Sequence, residues 1–210
     1  RSGKTSACSC WSGKSDMRHA ALKQQVPTLG EAPGTLLPVG EVKQDGSSIT
    51  LIEYGTERLL ETRFDSVEAG LAYQPSEPVL WLNVYGLRDP RFMQAIGERF
   101  HLHPLVLEDI LNARQRPKIE DYGDYLFIAT RVFHFPARGG RLKYDQVYLV
   151  VGRSFVLTFQ ERPTGLFEAV RERLRSGRGQ IRHKQADYLA YALIDAVVDD
   201  YFGVLNQFTE

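Results

Sequence analysis

The chain has almost no cysteine, no excess of either charge and no long apolar run. Cys8 and Cys10 are the only cysteines among 210 residues. Two thiols one residue apart cannot staple a fold, and they fit a reducing compartment. Without a second pair they also make a weak soft-metal site. Lys plus Arg total 26 and Asp plus Glu total 26, so a general attraction to nucleic acid or anionic lipid is not expected. No stretch approaches 18 consecutive apolar residues, the minimum for a spanning helix. Ser12-Gly13-Lys14-Ser15 matches the end of a phosphate-binding loop. Cys8 stands where that loop needs its leading glycine, so an inert tail is the better reading.

What is present is a globular composition, 43% hydrophobic and 25% charged, with enough length for one sizeable core. Residues 1–34 are rich in Ser, Gly, Lys and Pro and lack periodicity, so a mobile tail is expected there. Residue 1 is Arg, and a natural translation start is not expected at that point. From residue 35 to 183 strands and helices alternate. Residues 48–54 and 59–64 read as strands divided at Gly55. Asp65 and Glu68 form a capping-box pair for a helix to Tyr73. Residues 79–85 and 125–135 are apolar on both alternating faces, which requires cover on both sides of a sheet. Asp89-Pro90 opens a helix over 90–101. A turn is expected from Pro136 to Gly140. Strands 146–151 and 155–159 flank the short Gly152-Arg153-Ser154 loop, and a helix is expected over 165–176. The expected architecture is α/β, an α/β/α sandwich around a mixed parallel and antiparallel sheet. The last helix begins near Lys184 and keeps its period to Glu210 without a stop signal. A truncated long helix over 184–210, continuing beyond the chain, is therefore expected.

The chain is organised around His101-Leu102-His103-Pro104-Leu105-Val106-Leu107-Glu108-Asp109-Ile110-Leu111-Asn112-Ala113-Arg114-Gln115-Arg116-Pro117-Lys118. Pro104 suits a first helical turn, and Pro117 pushes Arg116 out of helical geometry. Leu105, Leu107, Ile110 and Leu111 give the short helix a face to bury. Glu108 and Asp109 are about 100° apart around the axis and point to different partners. By composition alone, two adjacent acids make a solvated face.

The run HPLVLEDILNxxQRPKIE resembles the signature of the CorA family of magnesium and cobalt transporters. The resemblance extends from about Val79 through Phe155–Glu161 and Val170–Arg173 to Ala186–Phe202, with the blocks in the family's order and spacing. It implies a cytoplasmic domain leading into a stalk helix, with the Gly-Met-Asn pore signature and both membrane spans absent from these residues. It also implies a homopentamer in the full-length protein, set in the inner (plasma) membrane through helices absent here, with this fragment cytoplasmic. A regulatory Mg²⁺ ion, for which Co²⁺ or Ca²⁺ can substitute, would lie between neighbouring subunits. Carried over, Glu108 and Asp109 stand on one side and Asp195 matches another acid of the region. Arg114 departs from the family's His; a guanidinium opposes a cation by charge, which weighs against a second metal position.

Three other readings compete. A zinc transporter of the related ZntB group is the same-class alternative. A nucleic-acid-binding module would use the basic run Arg171, Arg173, Arg175, Arg178, Arg182, His183 and Lys184, against which stands a solvated turn between helices. His101 and His103 with Glu108 could form a metal-enzyme site, but one residue between histidines suits a strand rather than a helix. A helix-junction role is preferred, and no enzymatic activity is expected. Asp187, Asp195 and Asp199 recur at helical spacing and read as a polar stripe.

Overall fold

A computed structural model describes residues 48–64, 67–87, 89–112, 115–135 and 141–206. The expected tail over 1–34, both cysteines, the Ser12–Ser15 motif, the Asp65 cap, Arg114 and the turn from Pro136 to Gly140 lie outside these residues.

The strands are β1 (Ser48–Tyr54), β2 (Leu59–Phe64), β3 (Val79–Tyr85), β4 (Lys118–Asp121), β5 (Tyr125–His134), β6 (Lys143–Gly152) and β7 (Phe155–Gln160). The helices are α1 (Val67–Ala72), α2 (Pro90–Phe100), α3 (Pro104–Leu111), α4 (Glu168–Ser176) and α5 (Ala186–Asn206), with a 3-10 turn over Ile181–His183. One sheet runs in the order β2-β1-β3-β7-β6-β5-β4. Among the described strands only β3 and β7 pair in parallel; the other neighbours are antiparallel. This is the α/β/α sandwich on a mixed sheet that the sequence predicts.

Alternation along the strands divides the core in two. Leu51, Leu82, Phe127, Tyr148 and Leu157 face the layer that holds α2 and α3. Ile52, Trp81, Leu149 and Val156 face α4 and α5. The apolar runs in β3, β6 and β7 follow directly from this double cover. A hydrogen-bonded chain of three side chains is buried on the second face. Trp81 Nε1 donates to Thr158 Oγ1 at 2.9 Å, and Thr158 donates to Asn83 Oδ1 at 2.6 Å.

The elements differ from expectation in places: β6 begins at Lys143 rather than 146, and α5 at Ala186 rather than 184. β4 is not apparent in the sequence, because Lys118-Ile119-Glu120-Asp121 is polar and lies at the sheet edge, where pairing on one side suffices. α4 starts at Glu168 rather than 165, since Gly165 adopts a left-handed φ of 79° and Phe167 caps without a side-chain bond.

α5 covers 21 residues, about 30 Å of helix. Leu189, Leu193 and Val197 are buried against the sheet. Tyr191, Ile194, Val198, Phe202 and Leu205 are exposed, and their spacing of three, four, four and three residues makes a second apolar stripe. Among the described residues no helix is long and apolar enough to cross a membrane.

Candidate cation site

α3 is fixed at both ends before its acids are placed. His103 is the N-cap: its Nδ1 accepts from the Leu105 N–H at 3.2 Å, and its own N–H donates to the Tyr125 hydroxyl at 2.8 Å. Pro104 fills the first turn, and Val106, Leu107 and Ile110 are buried. His101 closes α2 in a left-handed conformation, φ 53°. Both histidines thus serve the helix junction, and the metal-enzyme reading gives way to it.

The turn after α3 is moored to the sheet. Tyr148 donates to the Asn112 carbonyl at 3.0 Å. The Gln115 carbonyl accepts from Arg131 at 2.8 Å and from Gln146 at 2.7 Å. This anchoring aims two side chains at Asp109. The Gln115 amide donates to Oδ1, and the Lys118 ammonium donates to Oδ2 at 2.6 Å. Lys118 also reaches Glu120 Oε1 at 2.9 Å, and its Nζ stands 5.6 Å from the Phe127 ring centre. Tyr122 donates to the other Glu120 oxygen at 3.3 Å. Partial burial disfavours the ammonium, but its bonds to Asp109 and Glu120 leave the Lys118 pKa above the usual lysine value.

Asp109 is half-buried while Glu108 is exposed, as the helical angle between them requires. Asp195 is exposed on α5, across the sheet from α3. One protomer therefore does not bring the three acids together. Among the described residues no group of three or more His, Cys, Asp or Glu is arranged to hold a metal. Glu108 and Asp109 offer hard carboxylate oxygens suited to Mg²⁺, which retains water and needs few protein ligands.

The basic run is partly committed within the fold. Arg171 is buried, bonded to Glu168 and the Tyr85 hydroxyl at 3.2 Å each, with its guanidinium 5.1 Å from the Trp81 ring centre. Arg175 takes both oxygens of Glu61 at 2.8 and 2.9 Å. Arg182 donates to the Leu174 and Arg175 carbonyls, closing the end of α4. These three cations hold α4 in place, and none of them presents a free guanidinium to a phosphate backbone.

Comparison with known proteins places the chain in a family. The family described as CorA-like Mg2+ transporter protein matches residues 76–210. The chain belongs to the CorA family. It is 43% identical over 178 residues to the cobalt/magnesium transport protein CorA of Thermotoga maritima, covering 85% of this chain and 50% of that protein. The chain thus spans about half the length of that relative. The soluble domain of CorA from Methanocaldococcus jannaschii has the same fold, with a TM-score of 0.57 at 12% identity over 80% of this chain and 62% of that one. The cytoplasmic domain of ZntB from Vibrio parahaemolyticus aligns as well, TM-score 0.56 at 13% identity, over 77% and 63%. CorA membership covers the residues that suggested it, Glu108 and Asp109 and the block from Ala186 to Phe202. It is a family of transporters, not of enzymes.

Proposed function

We propose that this chain is the cytoplasmic, cation-sensing domain of a CorA-like magnesium and cobalt transporter held in the plasma membrane by helices outside these residues. The observation that carries the reading is Asp109. It is a half-buried carboxylate beside the exposed Glu108, on a moored helix end, in a chain 43% identical to a cobalt/magnesium transport protein. The acids of α3 and α5 lie on opposite layers of one protomer, so a site using both is completed by a neighbouring copy. In this reading Glu108 and Asp109 of one copy approach the acidic side of the neighbour's α5, which carries Asp195. The exposed apolar stripe on α5 supplies a surface for self-association, and the full-length assembly is a homopentamer. Mg²⁺ is the expected ion, with Co²⁺ or Ca²⁺ as substitutes. Magnesium and cobalt are preferred to zinc because the 43% relative is a cobalt/magnesium transport protein, whereas the ZntB domain shares 13%.

Weak sites suffice. A site about tenfold above its dissociation constant stabilises the bound state by roughly 1.4 kcal/mol. Inverting a population from 1:99 to 99:1 takes about 5.5 kcal/mol. One site falls short, and five at roughly 7 kcal/mol together exceed it. Bound cations hold the subunits in the closed state, and depletion lets like charges separate them. The test is Asp109→Ala in the assembled full-length protein, followed by protease protection against MgCl₂ concentration. Protection should lose its Mg²⁺ dependence; a curve matching the wild type would overturn the reading.

A further inference from the structure

Asp109 is not an open ligand. Its side chain is 18% exposed, and that of its ion-pair partner Lys118 is 28% exposed. Both of its oxygens already hold donors, Gln115 on Oδ1 and Lys118 on Oδ2 at 2.6 Å. A divalent cation ligated by Oδ2 would lie about 2.1 Å from that oxygen. The ammonium and the cation would then stand within a few ångströms of each other, and their repulsion forbids joint occupancy. One must leave.

We propose that Lys118 is a tethered competitor for the cation at Asp109 and sets how much divalent cation the site requires. The proposal rests on the reading of Asp109 as a cation ligand. Lys118 can leave Asp109 and keep part of its stabilisation, because the same ammonium already holds a second carboxylate. Glu120 Oε1 is 2.9 Å away, Tyr122 steadies the other Glu120 oxygen, and the Phe127 ring lies beside the ammonium. One seat on α3 and one on β4 itself make the contact an exchange rather than a lock. The apparent dissociation constant is the intrinsic one divided by the fraction of time that Lys118 is away from Asp109. A sodium or potassium ion carries no more charge than the ammonium it would have to displace, and its attraction to the carboxylate is correspondingly weaker. The tethered lysine therefore also filters for divalent ions.

The two seats predict opposite effects. Lys118→Met keeps the aliphatic stem and removes the charge, so the site should respond to about tenfold less Mg²⁺, the scale of one partly buried charge-assisted bond. Glu120→Gln removes the second seat's charge, holds the ammonium on Asp109 and should raise the required Mg²⁺ several-fold. Lys118→Arg keeps the charge and should stay within about threefold of wild type. The experiment measures the thermal midpoint of the assembled full-length protein against MgCl₂ for these variants and for Asp109→Asn. A purely structural lysine would lower the midpoint without moving the Mg²⁺ half-point. If Asp109→Asn abolishes the Mg²⁺ response but Lys118→Met and Glu120→Gln leave the half-point unmoved, the competitor proposal is overturned alone. If Asp109→Asn responds like wild type, the cation reading falls and the competitor with it. Should Lys118→Met fail to fold, Glu120→Gln reads the same exchange from the other seat.

Discussion

Glu53 is a fully buried carboxylate, 0% exposed, opposite Leu80 near the end of the β1–β3 pairing. It accepts four hydrogen bonds. The Tyr73 hydroxyl and Ser76 hydroxyl reach Oε1 at 2.6 and 3.1 Å, and the Ser76 and Glu77 N–H groups reach Oε2 at 2.6 and 3.2 Å. The division of donors fixes what each substitution costs. In Glu53→Gln the amide oxygen can take Oε2's place and keep both backbone donors. The NH₂ then faces two hydroxyls, which can turn and accept. Only the charge assistance is lost, about 1–2 kcal/mol in all. Glu53→Ala instead strands two backbone N–H groups at about 1–3 kcal/mol each and leaves a cavity, so about 3–5 kcal/mol is expected. The acid limb separates the variants further. Burial pushes the Glu53 pKa up, but the four hydrogen bonds prevail and hold it below its ordinary 4.5. A depressed carboxylate stabilises the fold above its unfolded pKa, and that contribution is lost as pH falls through the folded value. Wild type should therefore lose stability below about pH 4.5 more steeply than Glu53→Gln. Urea unfolding at pH 7 and at steps from pH 5 to 3 measures both quantities. Equal costs for Gln and Ala at pH 7, or parallel acid limbs for wild type and Glu53→Gln, would refute the hydrogen-bond account.

Gly97 marks the close approach of α2 to α3, since a Cβ there would stand 2.5 Å from Leu107 Cδ1. Gly97→Ala gains about 1 kcal/mol of helix propensity but overpacks the contact by about 1–3 kcal/mol. A small net loss by thermal unfolding is expected, reversed by adding Leu107→Val; a raised midpoint in the single variant would contradict the packing. Val198→Ser with Phe202→Ser removes apolar area from the exposed α5 stripe. It should weaken self-association in sedimentation velocity while changing stability little; unchanged association would remove the stripe from the interface.

The layers were legible in the sequence where burial was symmetrical. Residues 79–85 are covered on both faces and 125–134 at Phe127, Ile128 and Ala129, and their apolar character reports this without any long-range knowledge. β4 was not legible, because Ile119 is 69% exposed and an edge strand needs no apolar face. The divergence of Glu108 and Asp109 followed from helix geometry alone. The partners of Asp109 did not, since Gln115 and Lys118 return to it only through a turn whose anchors, Tyr148, Arg131 and Gln146, lie 16 to 36 residues from the carbonyls they hold. Glu53 and Arg171 escaped for a related reason. A buried charge looks like a surface charge until its satisfying groups are known, and those of Glu53 lie 20 to 24 residues away.

Trp81, Thr158 and Asn83 have a bearing on how the two halves of the sheet find each other. β1 to β3 are joined by local pairings, as are β4 to β7, and the halves meet only at the parallel β3–β7 seam. Closing that seam brings together Asn83 and Thr158, 75 residues apart. By the loop-closure relation this costs roughly 3 kcal/mol more than closing a tight hairpin, so the seam is the slow step of the topology. It is also where two apolar strands could slide, because neighbouring Val and Leu side chains tolerate one another. Asn83 and Thr158 are direct register partners. A slip of two residues would break the Asn83–Thr158 pairing, at about 1–3 kcal/mol for each buried group left without a partner. The Trp81–Thr158–Asn83 chain thus acts as an alignment key: it favours the correct closure of the long loop over closures that break it.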